Sequence, residues 1–200
     1  MYKEKKIVIA THNPGKAEEL ALRLAPFIST VSLTDLGITH DVEETGTTFE
    51  ENVLLKANYY TEASKMLTIA DDGGLCIDAL NGAPGVYSSR FAGKGARDED
   101  KIAKVLEVMK HVPADKRTAS FEVILALGIP GEQPKLYYGT LPGVITFEPA
   151  GSLVPGLPYK TIFYVPEFGK TLAELEDHRI TYFGHRDQAI AKLVADLIHI

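Results

Sequence analysis

The chain has 200 residues, of which 45% are hydrophobic and 24% charged, the composition of an ordinary globular domain; it excludes a collagen, a disordered polymer and, with no apolar run near the roughly 20 residues needed, a membrane-spanning helix. Lys+Arg total 21 against 27 Asp+Glu, a net charge of −6, which argues against a nucleic-acid polymer held by a general positive field and leaves room for a small anion gripped by a few lysines or through a metal. Cys76 is the sole cysteine, so neither an intramolecular disulfide nor a thiolate metal cluster is expected, and the mixed charges of Met1 to Lys6 lead into too short an apolar stretch for a signal peptide, which makes the expected address cytoplasmic.

Ile7 to Ala10 reads as a short buried strand, Thr11 to Gly15 as a loop, and Ala17, Leu20, Ala21 and Leu24 fall at helical spacing. Thr48-Phe49-Glu50-Glu51 has the capping-box pattern and starts a helix predicted over Phe49 to Ser64. Leu67 to Ala70 and Leu75 to Leu80 are apolar runs flanking Asp71-Asp72-Gly73-Gly74, read as two strands or one bulged strand broken by an acidic turn. Asn81 to Gly95 reads as loop, Ile102 to Met109 as helix, Ala119 to Leu127 as an alternating strand, and Leu136 to Leu141 with Val144 to Phe147 as further, antiparallel strands. A Pro/Gly-rich loop over Pro149 to Pro158 precedes a strand over Thr161 to Val165, and Ala189 to Leu197 is a closing helix. No repeat or linker divides the chain, so residues 1–200 are expected to form a single α/β domain on a mixed sheet, with a second lobe built from the middle of the chain.

Three groups of residues invite chemistry. Thr11-His12-Asn13-Pro14-Gly15-Lys16 sets glycine and lysine at the mouth of a helix, where backbone N–H groups and an ammonium suit a phosphate; there is no Walker A motif, and on spacing alone a plain turn is the commoner reading. Glu43-Glu44 and Asp71-Asp72 are adjacent carboxylates that would be eased by a cation between them, and an all-oxygen set favours Mg²⁺ or Mn²⁺; solvated turns are the alternative. Asn52 and Lys56, four apart, share a helix face. Gly184-His185-Arg186 opens the last helix and offers donors to a phosphate or a base edge, whereas the histidines show no spacing such as H-E-x-x-H.

Five blocks resemble, in order and across nearly the whole chain, the inosine triphosphate pyrophosphatase (Ham1/RdgB-like) family: IVIATHNPGKAEEL from Ile7, EETGTTFEENVLLKA from Glu43, IADDGGLCIDALNGAPGVYSSRFAG from Ile69, PGVITFEPAG from Pro142 and GHRDQA from Gly184. The resemblance implies an elongated α/β protein with a mixed central sheet flanked by helices, two lobes with the active-site cleft between them, and a homodimer. It implies Mg²⁺-dependent hydrolysis of ITP, dITP and XTP to the monophosphate and pyrophosphate, with a small nucleotide as partner and no nucleic-acid polymer or membrane. By the same resemblance, Thr11 to Lys16 bind the triphosphate, Glu44 and Asp72 with help from Glu43 hold the metal, and Asp72 is the general base supported by Asp71 and Lys56. Gly73, Tyr159, Lys160, His185 and Arg186 fall at positions that contact the substrate, His185 and Arg186 at the base.

The chain also departs from the pattern. Many relatives have serine where Gly73 stands, and relatives have serine where Gly184 stands, a lysine where Ile180 stands and a glycine-rich stretch ending F-G-Y-D-P where this chain reads Ser152 to Thr161, two residues longer, so that Lys160 replaces the motif's Asp. The hydrolytic half is therefore expected intact and base discrimination relaxed, and the rival reading is a nucleotide-binding or sensing protein of the same fold, or a pyrophosphatase of altered base specificity.

Overall fold

A computed structural model describes residues 6–179 and 184–197; Met1 to Lys5 and Ile180, both read above, lie outside the described residues. Strand β1 (Lys6–Ala10) feeds helix α1 (Pro14–Leu24). Asn13 caps that helix by accepting the Lys16 amide on Oδ1 at 3.1 Å, and Pro14, with φ already helical, takes the first position. The loop expected over Thr11 to Gly15 is thus shorter: Pro14 and Gly15 already belong to the first helical turn. The chain then runs through β2 (Ser29–Ser32), α2 (Phe49–Ser64), which shows both arms of the capping box, and β3 (Thr68–Ile77).

Both β2 and β3 pair parallel with β1, one on each side, so the strand order reverses at β1. In open α/β sheets, ligands bind beyond the carboxyl ends of the strands at such a reversal. Ala10 is registered against Ala70, which places the loop into α1 and the residues after Ala70 at that end. The acidic turn is not there. β3 runs unbroken through Asp71-Asp72-Gly73-Gly74, because the side chains that would repel in a turn alternate to opposite faces of an extended strand.

The remaining elements are α3 (Asp98–Val108), β4 (Thr118–Gly128), β5 (Lys135–Ile145), β6 (Phe163–Val165), β7 (Lys170–Thr171), α4 (Leu172–Asp177) and α5 (His185–Leu197). The sheet order is β2-β1-β3-β4-β5-β6-β7, with β5-β6 and β6-β7 antiparallel, so the sheet is mixed as expected. Asn81 to Gly95 holds a 3₁₀ turn over Gly85–Arg90, and the run 136–141 merges with 144–145 into β5, which ends before residues 146–147. The chain clusters into two compact units, each made of separate stretches: residues 1–72, 123–139 and 185–200, and residues 73–122 and 140–184.

The first unit carries apolar layers on both faces of its strands. Ile7, Ile9, Ile69 and Leu125 pack with Leu20 and Leu24 of α1 and Ile190 and Leu193 of α5, whereas the alternate residues Val8, Ala10, Ala70 and Ala126 pack with Val53, Ala57 and Tyr60 of α2. The second unit packs Leu75, Ile77, Val105, Met109, Ile145, Phe163, Leu172 and Leu175.

Candidate active site

Strand alternation continues from the core into the acids. Asp71 falls on the Ile69 face, toward α1 and α5, and Asp72 on the Ala70 face, toward α2. Asp71 is fully buried and receives the Lys16 ammonium on Oδ1 at 2.6 Å and the Arg186 guanidinium on Oδ2 (Nε, 2.9 Å) and Oδ1 (Nη2, 3.4 Å). Burial would push its carboxyl up, but Arg186 and Lys16 together outweigh that and hold it well below the usual carboxylate range. Behind it the charges alternate: Arg186 Nη1 lies 3.2 Å from Glu19, Glu19 lies 3.1 Å from Arg23, and Arg23 lies 3.0 Å from Asp187. Arg186 Nη1 is also 3.1 Å from His185 Nε2.

On the other face, the buried Lys56 ammonium uses its donors on Glu44 Oε1 (2.8 Å), the Asp71 carbonyl (2.7 Å) and Asp72 Oδ1 (3.1 Å). Burial alone would lower the Lys56 pKa, but Asp72 and Glu44 reverse the sign and raise it, so the ammonium stays charged. Asp72 goes the opposite way from Asp71: burial, helped by Glu44, raises its pKa above the ordinary value despite Lys56 and Lys16. Its Oδ2 is buried without a hydrogen-bond partner. One face of β3 thus holds a firmly ionised acid between cations, and the other a more basic carboxylate with one unclaimed oxygen.

The structure brings Lys16, Glu44, Lys56, Asp71, Asp72, His185 and Arg186 together within the first unit. It corrects the idea of a cation seated between Asp71 and Asp72, since each acid faces its own protein cations. Of the other acidic pair, Lys56 holds Glu44, while Glu43 is exposed. Thr11 and Asn13 shape the helix entry, Thr11 Oγ1 accepting the Asn13 amide at 3.1 Å; His12 is exposed with Nε2 3.2 Å from the His40 carbonyl, and Gly15 is buried. Gly73, next along β3, is partly exposed. Tyr159 and Lys160 are buried in the second unit, Tyr159 donating to the Ser88 carbonyl at 2.7 Å and Lys160 lying 2.5 Å from Glu176. Composition and spacing did not single out Glu19; its place one turn after Lys16 and four before Arg23 was the available signal.

An acid pair on the strand beside the switch point, flanked by a helix-entry lysine, a buried lysine and a buried arginine, defines an α/β protein with a buried cluster of paired charges at the carboxyl end of its strands. The chain belongs to the Ham1 family, whose model matches residues 7–196. It is 45% identical over 196 residues to the dITP/XTP pyrophosphatase of Yersinia pseudotuberculosis, covering 96% of this chain and 98% of that protein, and equally to that of Escherichia coli K12. Among solved structures it superposes on the Ham1 protein of Staphylococcus aureus with a TM-score of 0.82 at 37% identity (98% of this chain, 99% of that one), and on a HAM1 protein from Coxiella burnetii with a TM-score of 0.84 at 38% identity (98% and 100%).

Proposed function

We propose that the chain is a divalent-cation-dependent nucleoside-triphosphate pyrophosphohydrolase that cleaves non-canonical purine nucleotides of the dITP and XTP kind to the monophosphate and pyrophosphate. The observation that carries the reading is Asp72, a buried carboxylate of raised pKa with Oδ2 unclaimed, set against Lys56 and Glu44 at the switch point. A pure binder has no need of a carboxylate made more basic than usual, whereas a hydrolase that activates water does. The names of the curated relatives support the substrate class.

In this reading Asp72 takes the proton from the water that attacks the α-phosphorus, and Lys56 keeps the carboxylate in place. Lys16, partly exposed and bridged to Asp71, turns its ammonium to the leaving pyrophosphate, while the more deeply buried Arg186 stays with Asp71. Glu44 and Asp72 fit a Mg²⁺ ion: among the described residues no cage of three or more ligating side chains gathers, but Mg²⁺ commonly uses one or two carboxylates plus substrate phosphates, and these two carboxylates converge on Lys56, while Asp72 Oδ2, which no protein donor holds, is the oxygen left for the water. Bound there, Mg²⁺ would neutralise phosphate charge and lower the pKa of a water. Base contacts by His185 and Arg186, and by Tyr159 and Lys160, belong to the proposal on resemblance, as does a homodimer; no helix among the described residues is long and apolar enough to cross a membrane.

The test is pyrophosphate release from ITP, XTP, GTP and ATP with Mg²⁺, using the wild type and Asp72→Asn. The amide keeps the shape and loses the basicity, so turnover should fall by about 10²–10⁴-fold with the fold intact. Half the wild-type rate in Asp72→Asn, or release of orthophosphate alone by the wild type, refutes the reading.

A further inference from the structure

Glu44 sits on a segment, residues 40–47, that forms neither helix nor strand, so its position must be set from outside. Helix α2 does this with residues spaced four apart. Tyr60 places its hydroxyl 3.3 Å from the His40 carbonyl and 3.2 Å from the Asp41 carboxylate and accepts the Val42 amide at 3.4 Å; Lys56 holds Glu44 itself; Asn52 Oδ1 accepts the Gly46 amide at 2.8 Å. Such spacing puts the three side chains in one stripe, and all three are buried. The segment is therefore pinned on both sides of Glu44, by Tyr60 before it and by Asn52 after it.

The Asn52 pin is made at a cost. Its Nδ2 is buried with no hydrogen-bond partner, and an unpaired buried donor disfavours the folded state. An apolar side chain like the neighbouring Val53 would avoid that penalty, so what the asparagine supplies is the acceptor for Gly46. Gly46 is fitted to it in turn: a Cβ at this position would lie 2.5 Å from Asn52 Oδ1 and 2.7 Å from Glu51 Cβ, so the backbone comes as close to the helix as glycine alone permits. We infer that Asn52 is a positioning residue, which sets the Glu44 carboxylate for a divalent cation by fixing the backbone at Gly46. This inference rests on Glu44 being a metal ligand.

The experiment measures Mn²⁺ affinity in the absence of nucleotide, from the paramagnetic resonance signal of free Mn²⁺, for the wild type, Glu44→Gln, Asn52→Ala, Gly46→Ala and the Asn52→Ala/Gly46→Ala pair. Asn52→Ala is expected to weaken Mn²⁺ binding about tenfold, the usual size for one hydrogen bond at a buried site. At saturating Mn²⁺ its kcat should return to within about twofold of wild type, since a metal-dependence defect is cured by metal. Gly46→Ala, which breaks the same contact from the other side, should weaken binding similarly, and the pair should be no worse than the weaker single variant. Wild-type Mn²⁺ affinity in Asn52→Ala, with only a lowered melting temperature, would show a purely structural residue and overturn the inference, as would defects that multiply in the pair. Wild-type affinity in Glu44→Gln as well would overturn the assignment of Glu44 and the inference with it, whereas Glu44→Gln weakened beside an unaffected Asn52→Ala overturns the inference alone.

Discussion

Replacing Lys56 by Met keeps most of the side-chain volume and removes the ammonium that three oxygens share, at 2.7, 2.8 and 3.1 Å. Breaking one partner of a buried ion pair costs about 3–5 kcal/mol, and since Glu44 keeps some contact with water the lower end, about 3 kcal/mol, is expected here. For a chain of this length that is a fall of about 6–12 °C in Tm. The loss should depend on pH with a definite sign. Asp72 already has a raised folded-state pKa, and without Lys56 the facing carboxylates of Asp72 and Glu44 raise it further. A carboxyl raised on folding carries no penalty below its unfolded pKa, about 4, and an increasing one as pH rises through the folded value. The gap between wild type and Lys56→Met should therefore be largest near pH 8 and narrow toward pH 5, and Mg²⁺ should restore more stability to the variant than to the wild type. Thermal melts at both pH values, with and without Mg²⁺, decide it. An equal gap at pH 5 and pH 8 would refute the electrostatic account of Lys56.

Two further outcomes follow from the same geometry. Asp71 is depressed, so its contribution to stability is present above about pH 4 and is lost as pH falls through its lowered value; Asp71→Asn should be markedly less stable at pH 7 and converge on the wild type in acid, and a urea-denaturation difference unchanged from pH 7 to pH 3 would contradict this. Lys160→Asp, which nominally restores the motif's acid, would set a carboxylate against Glu176; we expect a loss of about 2–3 kcal/mol, recovered by adding Glu176→Lys, and a fully stable single variant would show that the Lys160 pair is not what holds the loop.

Much of the first unit could be read from local signals. Asn13 with Pro14, and Thr48 with Glu51, are cap chemistry, and α1 and α2 form where those caps stand. Asp71-Asp72-Gly73-Gly74 misled because each residue type favours turns, whereas the strand is held by β1 up to Ala70 and its acids by cations from distant parts of the chain; Arg186 is 115 residues from Asp71. β2 reads Ser-Thr-Val-Ser, with no apolar run to betray a strand, and α4 has a capping box at Thr171 and Glu174 but only six residues to show periodicity. Lysine at 160 looked like a loss in the loop. In the fold the segment is tied down by Asp177 on the Ser152 amide, Asp98 on the Gly156 amide and Glu176 on Lys160, so it is a differently built loop. That acid pairing is spread over three separate stretches of chain, and no window of sequence contains it.

The central claim, that water activated at Asp72 attacks the α-phosphorus, is tested most directly by running ITP hydrolysis with Mg²⁺ in ¹⁸O-labelled water and locating the label by mass spectrometry. The account predicts one ¹⁸O atom in the inosine monophosphate and none in the pyrophosphate. Label in the pyrophosphate, or in released orthophosphate, would place the attack at another phosphorus and contradict it.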